Sequence, residues 1–245
     1  MSLAGRGIVV TRPRELALAF ARELERRGAH PIVFPAIEIE ALPPPAELGR
    51  LADFDIVVFV SPSAVRVALP ALAPWPRGLA AAAIGAGTRR ELERAGIAPL
   101  IAPPAGADSE ALLEVPEMQR ITGKRVLIVR GEGGRALLGD SLAARGARVA
   151  YAACYRRVRP ALDAGPLLEA WRRGKVDAVT VSSAQALDNF IAMTGAELAA
   201  GTPLFVPHER VALHARSRGA REVMVAGAGD DEMIERLVAY FDERH

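Results

Sequence analysis

The chain has 245 residues, of which 51% are hydrophobic and 24% charged, and its formal net charge is +2. These values are ordinary for a globular α/β protein, and the length allows one large domain or two small ones, each with its own core. The apolar runs are far shorter than a membrane span and the N-terminus lacks the apolar core of a signal peptide, so we expect a cytoplasmic protein without membrane contact. The single cysteine, Cys154, excludes an internal disulfide.

Arginine greatly outnumbers lysine among the basic residues. Of the 31 basic residues, two are lysines (Lys124 and Lys175) and the other 29 are arginines. A GC-rich coding bias explains this choice by itself, but arginine also grips carboxylates with a rigid planar fork, so a cleft lined by arginines would favour polyanions. Nucleic acid is not expected, because no basic run with interleaved aromatic residues occurs.

The first predicted unit consists of a strand, a helix and a second strand. Residues 7–11 (GIVVT) form an apolar run that is typical of a buried strand. Apolar residues then recur at helical spacing up to the Arg-Arg-Gly of residues 26–28, which predicts a helix that ends at glycine. Residues 31–39 are extended again, and the prolines at 43–45 break the chain before the next helix.

Residues 122–157 repeat this design, with a glycine-bearing turn between the strand and the helix. Arg12 precedes Gly28 by 28 − 12 = 16 positions, and Arg130 precedes Gly146 by 146 − 130 = 16 positions. Farther along the chain, DIVVFVSPSA at 55–64 resembles DAVTVSSA at 177–184, and residues 83–96 resemble residues 206–219. The sequence therefore predicts two halves of similar design.

The turn after the strand at 126–129 is a candidate anion site. Amides at the start of a helix, flanked by Arg130 and Arg135, suit a carboxylate or a phosphate. A plain turn with solvated arginines explains the same residues equally well.

Alternating strands and helices predict parallel sheets with helices on both faces. In such sheets ligands bind beyond the carboxyl ends of the strands, and two such edges facing one another would form a polar cleft. The residues at the predicted strand ends are Thr11, Arg12, Ser61, Ser63, Gly85, Thr88, Arg130, Gly131, Ser182, Ser183, Pro207 and His208.

Other kinds of site find little support in the sequence. The four histidines are scattered without partners at ligand spacing, so no metal site is expected. The glycines at 131–134 lack the Lys-Ser/Thr of a Walker loop, and the GAG at 85–87 lacks the third glycine of a dinucleotide fingerprint. No GxSxG elbow of a serine hydrolase is present.

Tyr155 is the most distinctive single residue, because it ends a strand where the chain is expected to leave one domain. It is either a hydrophobic plug or a phenol in a cleft that can form hydrogen bonds and donate a proton. Its neighbour Cys154 lies in an apolar strand, which favours an inert buried thiol.

Together these residues resemble the uroporphyrinogen-III synthase family over nearly the whole chain. The resemblance rests on the order and spacing of VVTRP, the P-x-IEI strand at 35–39, FVSPSAV, AIGAGT, RGEGGR with the later RGA, CYRR and VSSAQAL. The last turn departs from the family pattern: VPHER stands where a small Gly-x-Thr turn is usual, so either His208 or Arg210 takes the place of the threonine.

The resemblance implies two parallel-sheet α/β domains joined by a two-stranded antiparallel linker, with a cleft between the domains. The domains would be interleaved, with residues 1–37 and 159–245 in the first and residues 42–155 in the second. Residues 38–41 and 156–158 would be the linker strands. The internal repeat alone favours two consecutive halves instead.

The resemblance also implies a reaction: the cofactor-free cyclisation and dehydration of hydroxymethylbilane to uroporphyrinogen III, with inversion of the last ring through a spiro intermediate. Tyr155 matches the cleft tyrosine of the family and is our candidate catalytic residue. Substrate-binding residues would come from the strand ends above apart from Thr11, with Thr88 matching a cleft threonine, and from Arg135 and Arg210. The protein would act as a monomer, with transient contact to the preceding enzyme of the pathway.

Two other functions remain open from the sequence. One is a two-domain protein that binds an anionic metabolite without changing it. The other is a nucleotide-sugar transferase built on paired parallel-sheet domains.

Overall fold

The structure is a computed structural model that describes residues 3–72, 74–106, 108–134 and 136–244. The strands are β1 (Gly7–Val10), β2 (His30–Val33), β3 (Glu38–Ala41), β4 (Ile56–Phe59), β5 (Ala80–Ala83), β6 (Leu100–Ile101), β7 (Arg125–Gly131), β8 (Arg148–Val158), β9 (Ala178–Thr180), β10 (Leu204–Val206) and β11 (Val223–Val225).

The helices alternate with the strands along most of the chain. They are α1 (Arg14–Arg26), α2 (Pro62–Ala68), α3 (Ala86–Arg94), α4 (Ser109–Leu113), α5 (Pro116–Gln119), α6 (Leu137–Ala144), α7 (Gly165–Arg172), α8 (Ala184–Thr194), α9 (Ala196–Gly201), α10 (Glu209–Ser217) and α11 (Asp230–Asp242). Short 3₁₀ segments lie at Ala46–Asp53 and Leu69–Ala71. Within the described parts of the chain, no helix is both long and apolar enough to cross a membrane.

The chain divides into two compact units, each with its own sheet. Unit 1 comprises the residues up to Glu38 together with those from Val158 onward, and unit 2 is Ile39–Arg157. The sheet of unit 1 has the order β11-β10-β9-β1-β2, and its neighbouring strands are parallel. The prediction of two parallel-sheet α/β units is therefore confirmed.

The sheet of unit 2 has the order β3-β8-β7-β4-β5-β6, and the strands from β8 to β6 are parallel to their neighbours. Alternate residues of β4 enter two different cores: Val57 and Phe59 pack with α2 and α3, whereas Ile56 and Val58 pack with α4, α5 and α6. Because both faces of a parallel sheet are covered, its strands are apolar runs without alternation, as IVVF of β4 shows.

Five strands of each sheet follow the same order, and the repeat in the sequence predicts two units of similar design. Strands β9, β10 and β11 of unit 1 correspond to β4, β5 and β6, and β1 and β2 correspond to β7 and β8. A matching carboxylate precedes β9 and β4: Asp177 Oδ2 accepts from the Gly7 amide at 2.7 Å, and Asp55 Oδ2 accepts from the Arg125 amide at 2.8 Å. Each of these amides belongs to the first residue of the neighbouring strand.

The glycine ends of the helices also match. Gly28 after α1 and Gly146 after α6 both have φ +86°, a left-handed conformation that favours glycine.

The predicted linker strands are not part of this repeat. β3 lies beside β8 as the edge strand of the second sheet, and the antiparallel two-stranded linker and the domain boundaries stay predictions.

Candidate functional site

In unit 2, four of the predicted site residues lie in one row across four neighbouring strands. Phe59 of β4 is in register with Val129 of β7 and with Ala83 of β5. Two residues farther along, Gly131, Ser61 and Gly85 therefore occupy equivalent positions at the carboxyl ends of these strands. Gly131 is in turn the register partner of Tyr155 on β8. The row is thus Tyr155, Gly131, Ser61 and Gly85.

A β-bulge in β8 directs Tyr155 into this row. Arg130 pairs with Ala153 and Gly131 pairs with Tyr155, so Cys154 is an extra residue in the ladder. Side chains alternate along a regular strand, and an inserted residue reverses this alternation. As a result Tyr155 packs in the same core as Cys154 and Ala152, the core that contains Phe59.

The side chain of Tyr155 is 0% exposed, yet its hydroxyl has polar partners. The hydroxyl oxygen lies 3.0 Å from Ser61 Oγ and accepts from Arg157 Nη2 at 3.1 Å. The ring lies against Gly131, where a Cβ atom would be 2.6 Å from Cε2 of the ring. Both interpretations of Tyr155 describe part of it: the ring is a plug in the core, and the phenol oxygen belongs to a hydrogen-bonded cluster.

Ser61 is fixed by its place at the start of α2. Its backbone is extended, and its Oγ accepts a hydrogen bond from the Ala64 amide at 3.0 Å, as an N-cap residue does. Because this bond uses a lone pair of Oγ, the hydroxyl hydrogen of Ser61 is free to be donated to Tyr155. Ser63 follows in the first turn of α2 and is half-buried.

Gly85 and Thr88 form the start of α3. The backbone of Gly85 is extended, and the amides of residues 86–88 have no acceptor within the helix. Thr88, in the first turn of α3, is 2% exposed. This helix start therefore offers amides and a hydroxyl to an anionic group.

Arg130 is held at the glycine turn after β7. Its guanidinium carbon lies 5.3 Å from the centre of the Tyr151 ring, and its Nε donates to the Gly131 carbonyl at 3.2 Å. The predicted partner on the other side of this turn, Arg135, lies outside the described residues.

In unit 1, the corresponding strand ends are more fully occupied by internal contacts. Thr11 Oγ1 donates to the Thr180 carbonyl at 2.8 Å, and Thr180 Oγ1 donates to the Val9 carbonyl at 3.0 Å. Arg12 forms an ion pair with Asp230 at the start of α11, and its guanidinium carbon lies 4.3 Å from the centre of the Phe20 ring. Both threonine hydroxyls and Arg12 are therefore engaged within the unit.

The remaining predicted residues of unit 1 lie at the same edge of its sheet without bonding to one another. Ser183 is the N-cap residue of α8 and accepts from the Ala186 amide at 3.1 Å, and Ser182 just before it is half-buried. Pro207 is buried, whereas His208 and Arg210, at the start of α10, are exposed.

Two residues of these edges were missed by the sequence analysis. Arg157 contacts Tyr155, and its position two residues farther along the same strand was a usable signal, since such residues share a face. Asp230 pairs with Arg12 across 218 positions of sequence, and no local pattern indicates such a contact.

Two further features of unit 2 do not belong to this row. Cys154 is buried, and burial raises the pKa of its thiol to about 11, which agrees with the predicted inert role. A cavity of about 320 Å³ opens at the amino ends of β7 and β8, lined by Phe54, Arg125 and Arg148 among others. The predicted site is at the opposite, carboxyl ends of these strands.

Comparison with known proteins identifies the family. The sequence profile of the family described as uroporphyrinogen-III synthase HemD matches residues 19–235. The uroporphyrinogen-III synthase of Escherichia coli (strain K12) is 33% identical over 243 residues, which cover 94% of this chain and 99% of that protein. The chain belongs to the uroporphyrinogen-III synthase family. The enzyme from Salmonella typhimurium, 34% identical with the same coverage, agrees.

Solved structures of this family have the same fold. The enzyme from Helicobacter pylori 26695 matches with a TM-score of 0.66 at 16% identity, over 96% of this chain and 99% of that one. A methionine-substituted form of the enzyme from Thermus thermophilus matches with a TM-score of 0.60 at 21% identity, over 97% and 99%. The resemblance noted in the sequence is thereby confirmed, and the family assignment makes the chain a lyase of tetrapyrrole biosynthesis.

Proposed function

We propose that the chain converts hydroxymethylbilane to uroporphyrinogen III at the polar strand ends described above. The observation that carries this proposal is the row of Tyr155, Gly131, Ser61 and Gly85, in which a hydrogen-bonded phenol lies beside a helix start suited to anions. Supporting it is the family membership of the chain over nearly its full length.

The reaction sets the demands on the site. The terminal hydroxymethyl group accepts a proton and its C–O bond breaks, so that water leaves and a delocalised azafulvene cation remains. The last pyrrole ring attacks this cation through its substituted carbon and forms a spiro intermediate, which fragments and closes again with the ring inverted. Loss of a proton restores the aromatic ring, so no net proton is consumed, and no change in oxidation state occurs.

The main contribution of the protein is then to impose a geometry. Unaided closure gives the uninverted isomer, so the enzyme must hold a flexible chain with eight carboxylates in the conformation that leads to inversion. Backbone amides, hydroxyls and arginines suit this task, because each stabilises a carboxylate without chemistry of its own. The start of α3 with Thr88, and the arginine Arg130, are the proposed contacts in unit 2.

Within this proposal Tyr155 assists the departure of the hydroxyl group. Its oxygen receives the guanidinium hydrogen of Arg157, and Ser61 can donate a second hydrogen to it, which leaves the phenolic hydrogen for the substrate. A bond accepted from Ser61 also stabilises the negative charge that develops on the oxygen during proton transfer. The proposed substrate contacts in unit 1 are Arg12, Ser182, Ser183, Pro207, His208 and Arg210, and those in unit 2 also include Ser61, Ser63, Gly85, Gly131 and Arg135.

The location, the oligomeric state and the contact with the preceding enzyme are proposed from the family and the sequence. We propose a cytoplasmic monomer that takes its unstable substrate from the preceding enzyme of the pathway, through transient contact. Analytical ultracentrifugation of the purified chain tests whether it is a monomer.

Separation of product isomers tests the proposed activity. The purified chain is incubated with hydroxymethylbilane, and the products are oxidised to porphyrins and resolved by chromatography. An excess of type III over type I is expected. If type I alone forms, at the rate without protein, the proposed activity is wrong and a non-catalytic binding protein becomes the better interpretation. Thermal stabilisation by a nucleotide sugar would instead indicate a transferase.

A further inference from the structure

Two consecutive arginines at the end of β8 have different partners. Arg156 forms a bidentate ion pair with Glu40, through Nε at 2.9 Å and Nη2 at 2.6 Å. Arg157 points to the other face of the strand and donates to the phenol oxygen of Tyr155. Among the described residues, Arg157 has no carboxylate partner. An exposed guanidinium therefore has a neutral phenol as its partner, although charged acceptors bind it more strongly.

Arg157 lies against the polar side of the phenol. The guanidinium carbon lies 5.6 Å from the centre of the Tyr155 ring, and Nη2 lies 3.1 Å from the hydroxyl oxygen. The second neighbour of this oxygen, Ser61, is fixed by its bond to the Ala64 amide. Arg157 is exposed, whereas Tyr155 is 0% exposed, so the arginine side chain is the part of this cluster that can move aside.

We propose that Arg157 is a substrate-binding residue whose guanidinium covers the Tyr155 phenol until a substrate carboxylate draws it away. The proposal rests on the function proposed above, because hydroxymethylbilane carries the carboxylates. The bond from Arg157 to the phenol joins a charged donor to a neutral acceptor, whereas a bond to a carboxylate joins opposite charges and can be bidentate. The exchange is therefore favourable, and it exposes the phenolic hydrogen when an acidic substrate arrives.

Nitration of tyrosine tests the covering role without any substrate. Tetranitromethane modifies accessible phenols, and Tyr151, which is 41% exposed, serves as the internal reference on the same strand. In the wild-type chain, Tyr155 should be protected relative to Tyr151. In Arg157→Ala, the ratio of nitration at Tyr155 to that at Tyr151, measured by mass spectrometry of peptides, should rise at least tenfold. Arg156→Ala is the matched control and should leave the ratio unchanged.

A second variant separates covering from charge. Arg157→Gln retains an amide that can donate to the phenol but has no positive charge. Tyr155 should stay protected in this variant, whereas the KM for hydroxymethylbilane should rise about tenfold, as in Arg157→Ala. The KM of Arg156→Ala should stay within twofold of the wild-type value. Circular dichroism confirms that each variant is folded.

Each outcome decides between the proposal and its alternatives. Unchanged protection of Tyr155 in Arg157→Ala overturns the covering role, and an unchanged KM in both Arg157 variants overturns the carboxylate contact. If the wild-type chain forms no type III isomer, the proposed activity fails by itself, while the nitration ratio still reports on the cover. The two failures are therefore distinguishable.

Discussion

Five strands of each sheet follow the same order, but the two sheets use the residues at their carboxyl ends differently. In unit 1, Arg12 follows the end of β1 and is paired with Asp230. The hydroxyls of the neighbouring Thr11 and Thr180 bond to backbone carbonyls. In unit 2 the equivalent strand β7 ends at Gly131, and the space beside this glycine holds the ring of Tyr155. Repetition of a fold therefore does not repeat its surface chemistry.

The difference originates in β2 of unit 1 and β8 of unit 2, the strands that follow α1 and α6. β2 of unit 1 has four residues, whereas β8 of unit 2 has eleven and contains the bulge at Cys154. The longer strand carries Tyr155 level with the last residue of β7 and Arg157 beyond it, and the bulge directs the tyrosine toward Ser61. One inserted residue and a longer strand thus distinguish the edge that presents a phenol from the edge that does not.

The largest effect is expected from filling the space beside Gly131. In Gly131→Ala the new Cβ would lie 2.6 Å from the Tyr155 ring, so the ring must shift. Overpacking of this kind costs about 1–3 kcal/mol of unfolding free energy. Because the shifted ring also displaces the neighbouring groups that position the substrate at this edge, kcat should fall roughly a hundredfold, more than loss of the phenol oxygen alone would cause. Urea denaturation and the isomer assay measure the two effects.

Gly49 provides the matched control for this substitution. It also lies in unit 2, and no atom lies within 4 Å of the position that its Cβ would take. Gly49→Ala should keep wild-type stability within about 0.5 kcal/mol and full activity. If Gly131→Ala behaves like Gly49→Ala, the phenol is not held by this contact, and the contrast between the two sheet edges loses its basis.

A smaller effect is expected when the phenol oxygen alone is removed. Tyr155→Phe keeps the ring in the core but loses the bonds to Ser61 and Arg157. A general acid commonly contributes about 10²–10⁴-fold, but the azafulvene cation forms readily, so we expect a fall in kcat of about tenfold with turnover retained. Tyr151→Phe, on the same strand, should be unaffected. Full activity of Tyr155→Phe would show that the phenol does not assist departure of the hydroxyl.

The sequence predicted the parallel sheets, the internal repeat and the strand-end residues, because these follow from apolar runs and glycine ends that are local in sequence. It did not predict the bulge at Cys154, since Ala153, Cys154 and Tyr155 all suit a regular strand. It also missed the pairing of Arg12 with Asp230, because that contact depends on how α11 packs against unit 1. Features that depend on neighbouring residues in the sequence could be predicted, whereas contacts between distant residues could not.

The smallest predicted effect tests whether the edge of unit 1 also binds substrate. In Asp230→Asn, Arg12 loses its carboxylate partner and becomes available to a carboxylate of the substrate. The KM should fall about threefold, because this exchange no longer breaks an internal ion pair, whose own contribution to stability is about 1 kcal/mol. Asp231→Asn is the control, since it removes the same charge from the start of α11 without a contact to Arg12. A decrease in stability with no change in KM would mean that Arg12 is purely structural, and that unit 2 alone supplies an arginine to the substrate at this position of the fold.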